Sequence, residues 1–245
     1  MRNKKLLILD RWVDVTRFDP RHRDAAFWPA RGIAPDTVKF VYVGRLAAEK
    51  GLHVLAQAFV HLVQSVDERK RVHLVFIGDG PDRAALQDEL QGLPVTFTGF
   101  LHGSELATAL ASCDAKVFPS TTDTWGNAPL EAQAAGLPVI VTDIGGPAEL
   151  LEEGRTGLIV RGNDARALYF AMLQLTDTPT RERMGRAARA FAEAGRVEEP
   201  FSAILDSERY RRKVRQREKE QKAGEGRAEE ETAHTRREAM LWAAE

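Results

Sequence analysis

The feature that most restricts the fold is an alternation running from residue 38 to residue 160. Apolar runs at 38–43, 72–77, 95–97, 115–118, 139–141 and 158–160 are separated by helical stretches at 52–66, 82–90, 104–111, 128–135 and 148–152. The runs are apolar throughout rather than at every second residue, as in strands buried on both faces. Strand followed by helix followed by strand predicts a parallel sheet with helices on both faces, a Rossmann-like α/β domain. Two further helices, at 164–175 and 181–194, are expected to close it. In such sheets ligands gather beyond the carboxyl ends of the strands, so the loops there are the place to look for chemistry.

The loop after the 115–118 run reads Pro119-Ser120-Thr121-Thr122-Asp123-Thr124-Trp125-Gly126-Asn127-Ala128-Pro129-Leu130-Glu131. Gly126 permits a tight turn, and Pro129 suits a first helical turn. Gly136 and Pro138 then stop the helix. Asp123 and Glu131 bracket the turn, one on the loop and one on the helix. Free N–H groups at a helix start attract an anion, and flanking carboxylates accept from hydroxyls. Phosphate together with hydroxyls describes a nucleotide sugar. The same residues also have a purely structural reading, because carboxylates complement the helix dipole and Asp or Thr commonly caps a helix.

Gly44-Arg45-Leu46-Ala47-Ala48-Glu49-Lys50-Gly51 follows the first strand and carries two cations, Arg45 and Lys50. Arginine offers a planar fork and lysine a mobile point charge to a phosphate, although such a pair also serves simple surface solvation. The glycine spacing is not that of a P-loop. Gly78-Asp79-Gly80-Pro81 lacks the third glycine of a dinucleotide fingerprint and reads as a strand-to-helix turn. Gly145-Gly146-Pro147 with Glu149 reads as a turn or a backbone contact to ligand, and Asp143 as structural.

Composition narrows the function classes. A net charge of −1 over 245 residues gives no electrostatic case for nucleic acid. No apolar run reaches the length of about 18 residues that spans a bilayer. Residues 6–9 are too short for the apolar core of a signal peptide. Cys113 stands alone and the histidines lack ligand spacing, so neither a disulfide framework nor a metal is expected. The expectation is a soluble cytoplasmic protein, with peripheral membrane contact left open.

The domain boundaries are set at residues 1–33, 34–200 and 201–245. The first segment interleaves Trp12, Phe18, Phe27 and Trp28 with charges, and is expected to pin an extended linker to a neighbouring surface. The last is dense in Arg, Lys and Glu without an apolar heptad, which reads as a solvated helix fraying into disorder.

Taken in order, VYVGRLAAEKGLHVLAQAF, HLVFIGDGPDRAAL, VTFTGFL, KVFPSTTDTWGNAPLEAQAAGLPVIVTDIGGPAEL and GRTGLIV resemble the nucleotide-sugar-binding half of glycosyltransferase family 4, of the GT-B fold. The resemblance covers about residues 11–175, and RWVDVTRFDP resembles the linker leading into that half. It implies that the family's E-x7-E element falls on Asp123 and Glu131, with aspartate in the first position, one methylene shorter. Glu131 would then accept ribose hydroxyls. Asp123 would hold donor-sugar hydroxyls, assisted by the backbone of Gly126, Asn127 and Ala128. The Leu130 N–H would face the diphosphate, and Arg45 and Lys50, following Gly44, would neutralise it in place of a metal. The base would lie against Gly99 and Phe100.

The implied activity is retaining hexosyl transfer from a UDP-sugar or GDP-sugar, with no cofactor. The family's earlier, acceptor-binding half is not represented in these motifs. A separate chain completing the cleft, a fragment, and a non-catalytic binding subunit or truncated remnant are therefore carried as readings. A sugar-nucleotide epimerase on a similar fold is a further alternative.

Overall fold

The computed structural model describes residues 13–67, 71–124 and 127–194. Expectations for the run at 6–9, for Trp12, for Gly126 and for the tail at 201–245 fall outside the described residues. Six strands form the sheet: β1 (Val38–Val43), β2 (Val72–Ile77), β3 (Val95–Gly99), β4 (Ala115–Phe118), β5 (Val139–Thr142) and β6 (Gly157–Val160). Their order is β3-β2-β1-β4-β5-β6, and every neighbouring pair is parallel. The helices are α1 (Leu52–Ser65), α2 (Arg83–Glu89), α3 (Gly103–Ala111), α4 (Ala128–Ala134), α5 (Ala165–Gln174) and α6 (Thr178–Ala194).

Strand alternation divides the apolar side chains between two cores. Phe40 and Tyr42 of β1 face one core, with Leu55, Phe59 and Leu62 of α1 and Leu168 and Met172 of α5. Val41 faces the other, with Leu110 of α3, Ala132 and Ala134 of α4, and Val139 and Val141 of β5. Each large side chain so buried contributes about 1.5–3 kcal/mol relative to exposure. A sheet buried on both faces explains why its strands read as continuous apolar runs.

Two local expectations are corrected. The helix expected at 148–152 is a 3-10 turn at Gly146–Leu150, too short for an α-helical ladder. Residues 13–33 are not extended but fold through 3-10 turns at Pro20–His22 and Pro29–Arg31. Phe18, Phe27 and Trp28 are buried in the second core. Arg189 of α6 anchors this segment, reaching Asp19 at 2.9 Å and the Phe18 carbonyl at 2.9 Å.

The chain runs from β1 outward to β2 and β3, whereas β4 starts on the other side of β1 and leads outward to β5 and β6. The loops after β1 and β4 therefore diverge, which leaves a crevice at their carboxyl ends. Among the described residues, no helix is long and apolar enough to cross a membrane.

Candidate functional site

The loop after β1 ends in a 3-10 turn at Ala48–Lys50, and Gly51 leads into α1. Gly51 has φ +69°, and a Cβ there would come within 2.6 Å of the Pro119 carbonyl oxygen. Glycine is thus what lets the loop after β4 lie against the start of α1. This approach brings Lys50 to Asp123: the ammonium donates to both carboxylate oxygens at 2.9 Å. The two side chains are 21% and 22% exposed, enough for a ligand to reach them from the crevice. Thr122 Oγ1 donates to the Glu49 carbonyl at 3.1 Å, a second tie between the same loops.

Asp123 is also held from the β5 side. Gly145, at φ +88°, would place a Cβ 2.6 Å from the Asp123 carbonyl oxygen. The Gly146 N–H donates to that oxygen at 3.1 Å. Thr142 Oγ1 donates to the Ser120 carbonyl at 2.7 Å. The carboxylate is thereby presented from a backbone fixed on two sides.

The remaining sequence-predicted residues surround this pair without joining it. Arg45 is exposed, 4.0 Å from Glu49, while its carbonyl accepts from the Tyr42 hydroxyl at 2.9 Å. Burial pushes the Tyr42 phenol up, and the charges of Asp123 and Glu49 push it further, so Tyr42 serves as a fixed donor. Glu131 lies half-buried in the first turn of α4, with Pro129 at the helix start and Leu130 buried beside it. Asn127 precedes the helix without a side-chain cap bond, and Ala128 opens it. Gly44 closes β1, its N–H donating to the Ile77 carbonyl at 3.0 Å. Gly99 accepts from the Gly78 N–H at 2.8 Å. Phe100 is 65% exposed, its ring stacked on His102. From β3 to β4 the sheet spans three strand spacings, about 14 Å.

The Gly78–Pro81 stretch is a turn, as read: the Asp79 carboxylate accepts from Gly80 N and Arg83 Nη1, both at 2.7 Å. Asp143 is structural, accepting from the Gly162 N–H at 2.8 Å. Sequence reasoning missed Glu49, Thr122 and Tyr42, and no motif marks them. It also missed Lys116, a charged residue inside an apolar strand, and that oddity of pattern was the available signal. Among the described residues, no group of three or more His, Cys, Asp or Glu side chains could hold a metal. An ammonium pinned to a carboxylate in an open crevice can exchange its partner for an anionic ligand and release the carboxylate to hydroxyls.

Residues 37–178 match the family model for Glycosyl transferases group 1. The chain is 34% identical over 191 residues to a sulfoquinovosyl transferase, SQD2, of Arabidopsis thaliana, covering 76% of this chain and 36% of that protein. It is 41% identical over 153 residues to a GDP-mannose-dependent alpha-mannosyltransferase of Corynebacterium glutamicum, covering 61% of this chain and 34% of that protein. The chain thus spans about a third of the length of these relatives. The fold matches the crystal structure of the C-terminal domain of a glycosyl transferase group 1 family protein (LpcC) from Francisella tularensis. That likeness has a TM-score of 0.66 at 19% identity and covers 74% of this chain and 97% of the other. A family match across all six strands, on a parallel sheet of this order, means that the chain belongs to the group 1 glycosyl transferases.

Proposed function

We propose that this chain is the donor-binding, C-terminal half of a retaining, metal-independent glycosyltransferase of family 4. In this reading it binds a nucleotide diphosphate sugar in the crevice between the loops after β1 and β4. The observation that carries the reading is the Lys50–Asp123 pair, seated where the strand order reverses and reachable from solvent. The name of the C. glutamicum relative, which specifies GDP-mannose, supports a sugar nucleotide as ligand.

The chemistry follows from the charges. An arriving diphosphate competes for Lys50 and frees Asp123 to accept from hydroxyls of the donor sugar. Glu131 accepts from the ribose, the backbone near Leu130 faces the diphosphate, and the base packs by Gly99 and Phe100. As the bond between the sugar and the diphosphate breaks, its electron pair leaves with the diphosphate. Lys50 and Arg45 lower the barrier to the extent that they bind this more negative leaving group better than the intact donor. The acceptor hydroxyl's oxygen forms the new glycosidic bond to the sugar, and its proton leaves with the diphosphate. The boundaries at 33/34 and 200/201, a cytoplasmic location and an acceptor-binding half supplied elsewhere belong to the same proposal.

Calorimetry with GDP-mannose and UDP-glucose tests the reading. One of the two should bind, and Lys50→Ala should weaken it at least tenfold, the lower end for a charged hydrogen bond. Absence of binding by sugar nucleotides and nucleoside diphosphates alike would overturn it.

A further inference from the structure

The turn at 78–82, after β2, lies between two loops that the proposed reading assigns to one ligand. The diphosphate loop follows β1 and the base site follows β3, two strand spacings or about 9–10 Å apart. Backbone hydrogen bonds tie the turn to both. On one side the Gly78 N–H donates to the Gly99 carbonyl at 2.8 Å. On the other, the Leu46 N–H donates to the Asp79 carbonyl and the Asp82 N–H to the Leu46 carbonyl, both at 3.0 Å. Connecting β2 to α2 requires neither set of contacts.

The packing leaves no slack. A Cβ on Gly80 would come within 2.2 Å of the Leu46 carbonyl oxygen, and one on Gly78 within 2.0 Å of the Gly44 carbonyl oxygen. A side chain at either position would push the loops after β1 and β2 apart. Within the turn the Asp79 carboxylate accepts from the Gly80 N–H and from Arg83 Nη1, which braces it internally. The Arg45–Leu46 backbone is also gripped from β1, where buried Tyr42 donates its hydroxyl to the Arg45 carbonyl at 2.9 Å. The Leu46 side chain is fully buried in the first core. Arg45, 67% exposed, thus projects from a backbone that is held on both sides.

We propose that the 78–82 turn and the Tyr42 hydroxyl are positioning elements that set the spacing between the base site and the diphosphate loop. The inference rests on the reading of those two places as parts of one nucleotide site. A nucleoside diphosphate gains from both contacts only while their separation matches its own length. A nucleoside or a pyrophosphate uses one contact at a time and is indifferent to the spacing. Gly80 acts through Leu46, and Tyr42 through Arg45, rather than on the ligand.

The test uses the whole chain with Gly80→Ala and, as the milder change, Tyr42→Phe, with urea unfolding to check that each folds. Calorimetry measures GDP and UDP; NMR titration measures guanosine, uridine and inorganic pyrophosphate. In Gly80→Ala the preferred nucleoside diphosphate should bind at least about tenfold more weakly, part of the roughly 10²–10⁴-fold that linking two contacts supplies. The nucleoside and pyrophosphate should each bind as they do to the parent. Tyr42→Phe should show the same pattern with a smaller loss, and it decides the matter if Gly80→Ala does not fold. Undiminished binding of the nucleoside diphosphate in either folded variant, or equal losses for all three kinds of ligand, would overturn the proposal and leave the nucleotide reading standing. A parent chain that binds neither GDP nor UDP would overturn both. A Tyr42→Phe chain that fails to fold would also overturn it, because the hydroxyl would then be serving the fold.

Discussion

Lys50 and Asp123, 73 residues apart in the chain, meet with the ammonium 2.9 Å from both carboxylate oxygens. The contact joins the loops that follow β1 and β4, the strands on either side of the point where the sheet order reverses. Each group is engaged by the other, so a ligand that uses either must displace its partner. That competition gives the two residues separable effects.

Lys50→Ala should weaken a nucleoside diphosphate by about 10- to 100-fold, from the loss of a charge-assisted hydrogen bond of about 1.5–3 kcal/mol. It should leave the bare nucleoside unchanged. Asp123→Asn releases the ammonium and should hold or improve diphosphate affinity while weakening the sugar nucleotide. Calorimetry with the three ligands separates these outcomes, and equal losses for all three would make the pair a scaffold.

Arg45 should divide stability from binding. Its side chain is 67% exposed and 4.0 Å from Glu49, a pair worth about 0–1 kcal/mol. Arg45→Ala should therefore melt as the parent does in calorimetric scans while binding a nucleoside diphosphate several-fold more weakly.

Glu131→Ala should cost about 1.5–3 kcal/mol in affinity for a nucleoside diphosphate, the loss of a charged acceptor. The same variant should bind the 2′,3′-dideoxy analogue as well as the parent chain does, because the hydroxyls it would serve are missing. A loss of the same size for both ligands would remove Glu131 from the ribose.

Gly51→Ala tests the approach of the two loops. At φ +69° a side chain costs about 1–2 kcal/mol in backbone strain alone, and its Cβ would lie 2.6 Å from the Pro119 carbonyl. The expected result is a fall in Tm together with a loss of diphosphate affinity, since relieving the clash moves Lys50 off Asp123. An unchanged Tm would show that the loops have room to part.

Stability should decline with acid in two separate windows. His73 is held down to about 4, chiefly by burial and then by the charge of Lys39, so the fold favours its neutral form. Its contribution is complete above the ordinary histidine value near 6.5 and is lost as pH falls toward 4. Asp19 is held down to about 2, chiefly by its hydrogen bond from Arg21, with burial opposing and Arg189 assisting. Its contribution is complete above the ordinary value near 3.8 and is lost as pH falls toward 2. Urea melts across pH should show His73→Gln flattening the upper window and Asp19→Asn the lower. Loss of both slopes in one variant would contradict the assignment.

The layers, and the edge of the sheet where ligands gather, are legible in the order of residues. Strands such as Val38–Val43 and Val72–Ile77 and helices such as Leu52–Ser65 follow from periodicities of a few residues, which local sterics and burial on one or both faces impose. The motifs through Arg45, Lys50, Asp123 and Glu131 are likewise strings of neighbouring residues, so the family could be read without a fold. Which of them meet is set by the fold. Lys50 reaches Asp123 because strand order sets β1 beside β4 and because Gly51 admits the Pro119 carbonyl, whereas Arg45, five positions earlier, turns outward to Glu49. The folding of residues 13–33 onto the second core depends on a surface made by α3, α4 and α6, far along the chain. Lys39's ammonium is paired, whereas that of Lys116 has no hydrogen-bond partner among the described residues, and which of the two outcomes holds depends on the groups that lie near it in space. Local pattern encodes the conformation of each segment; partnerships between side chains form across distances in sequence that local pattern does not measure.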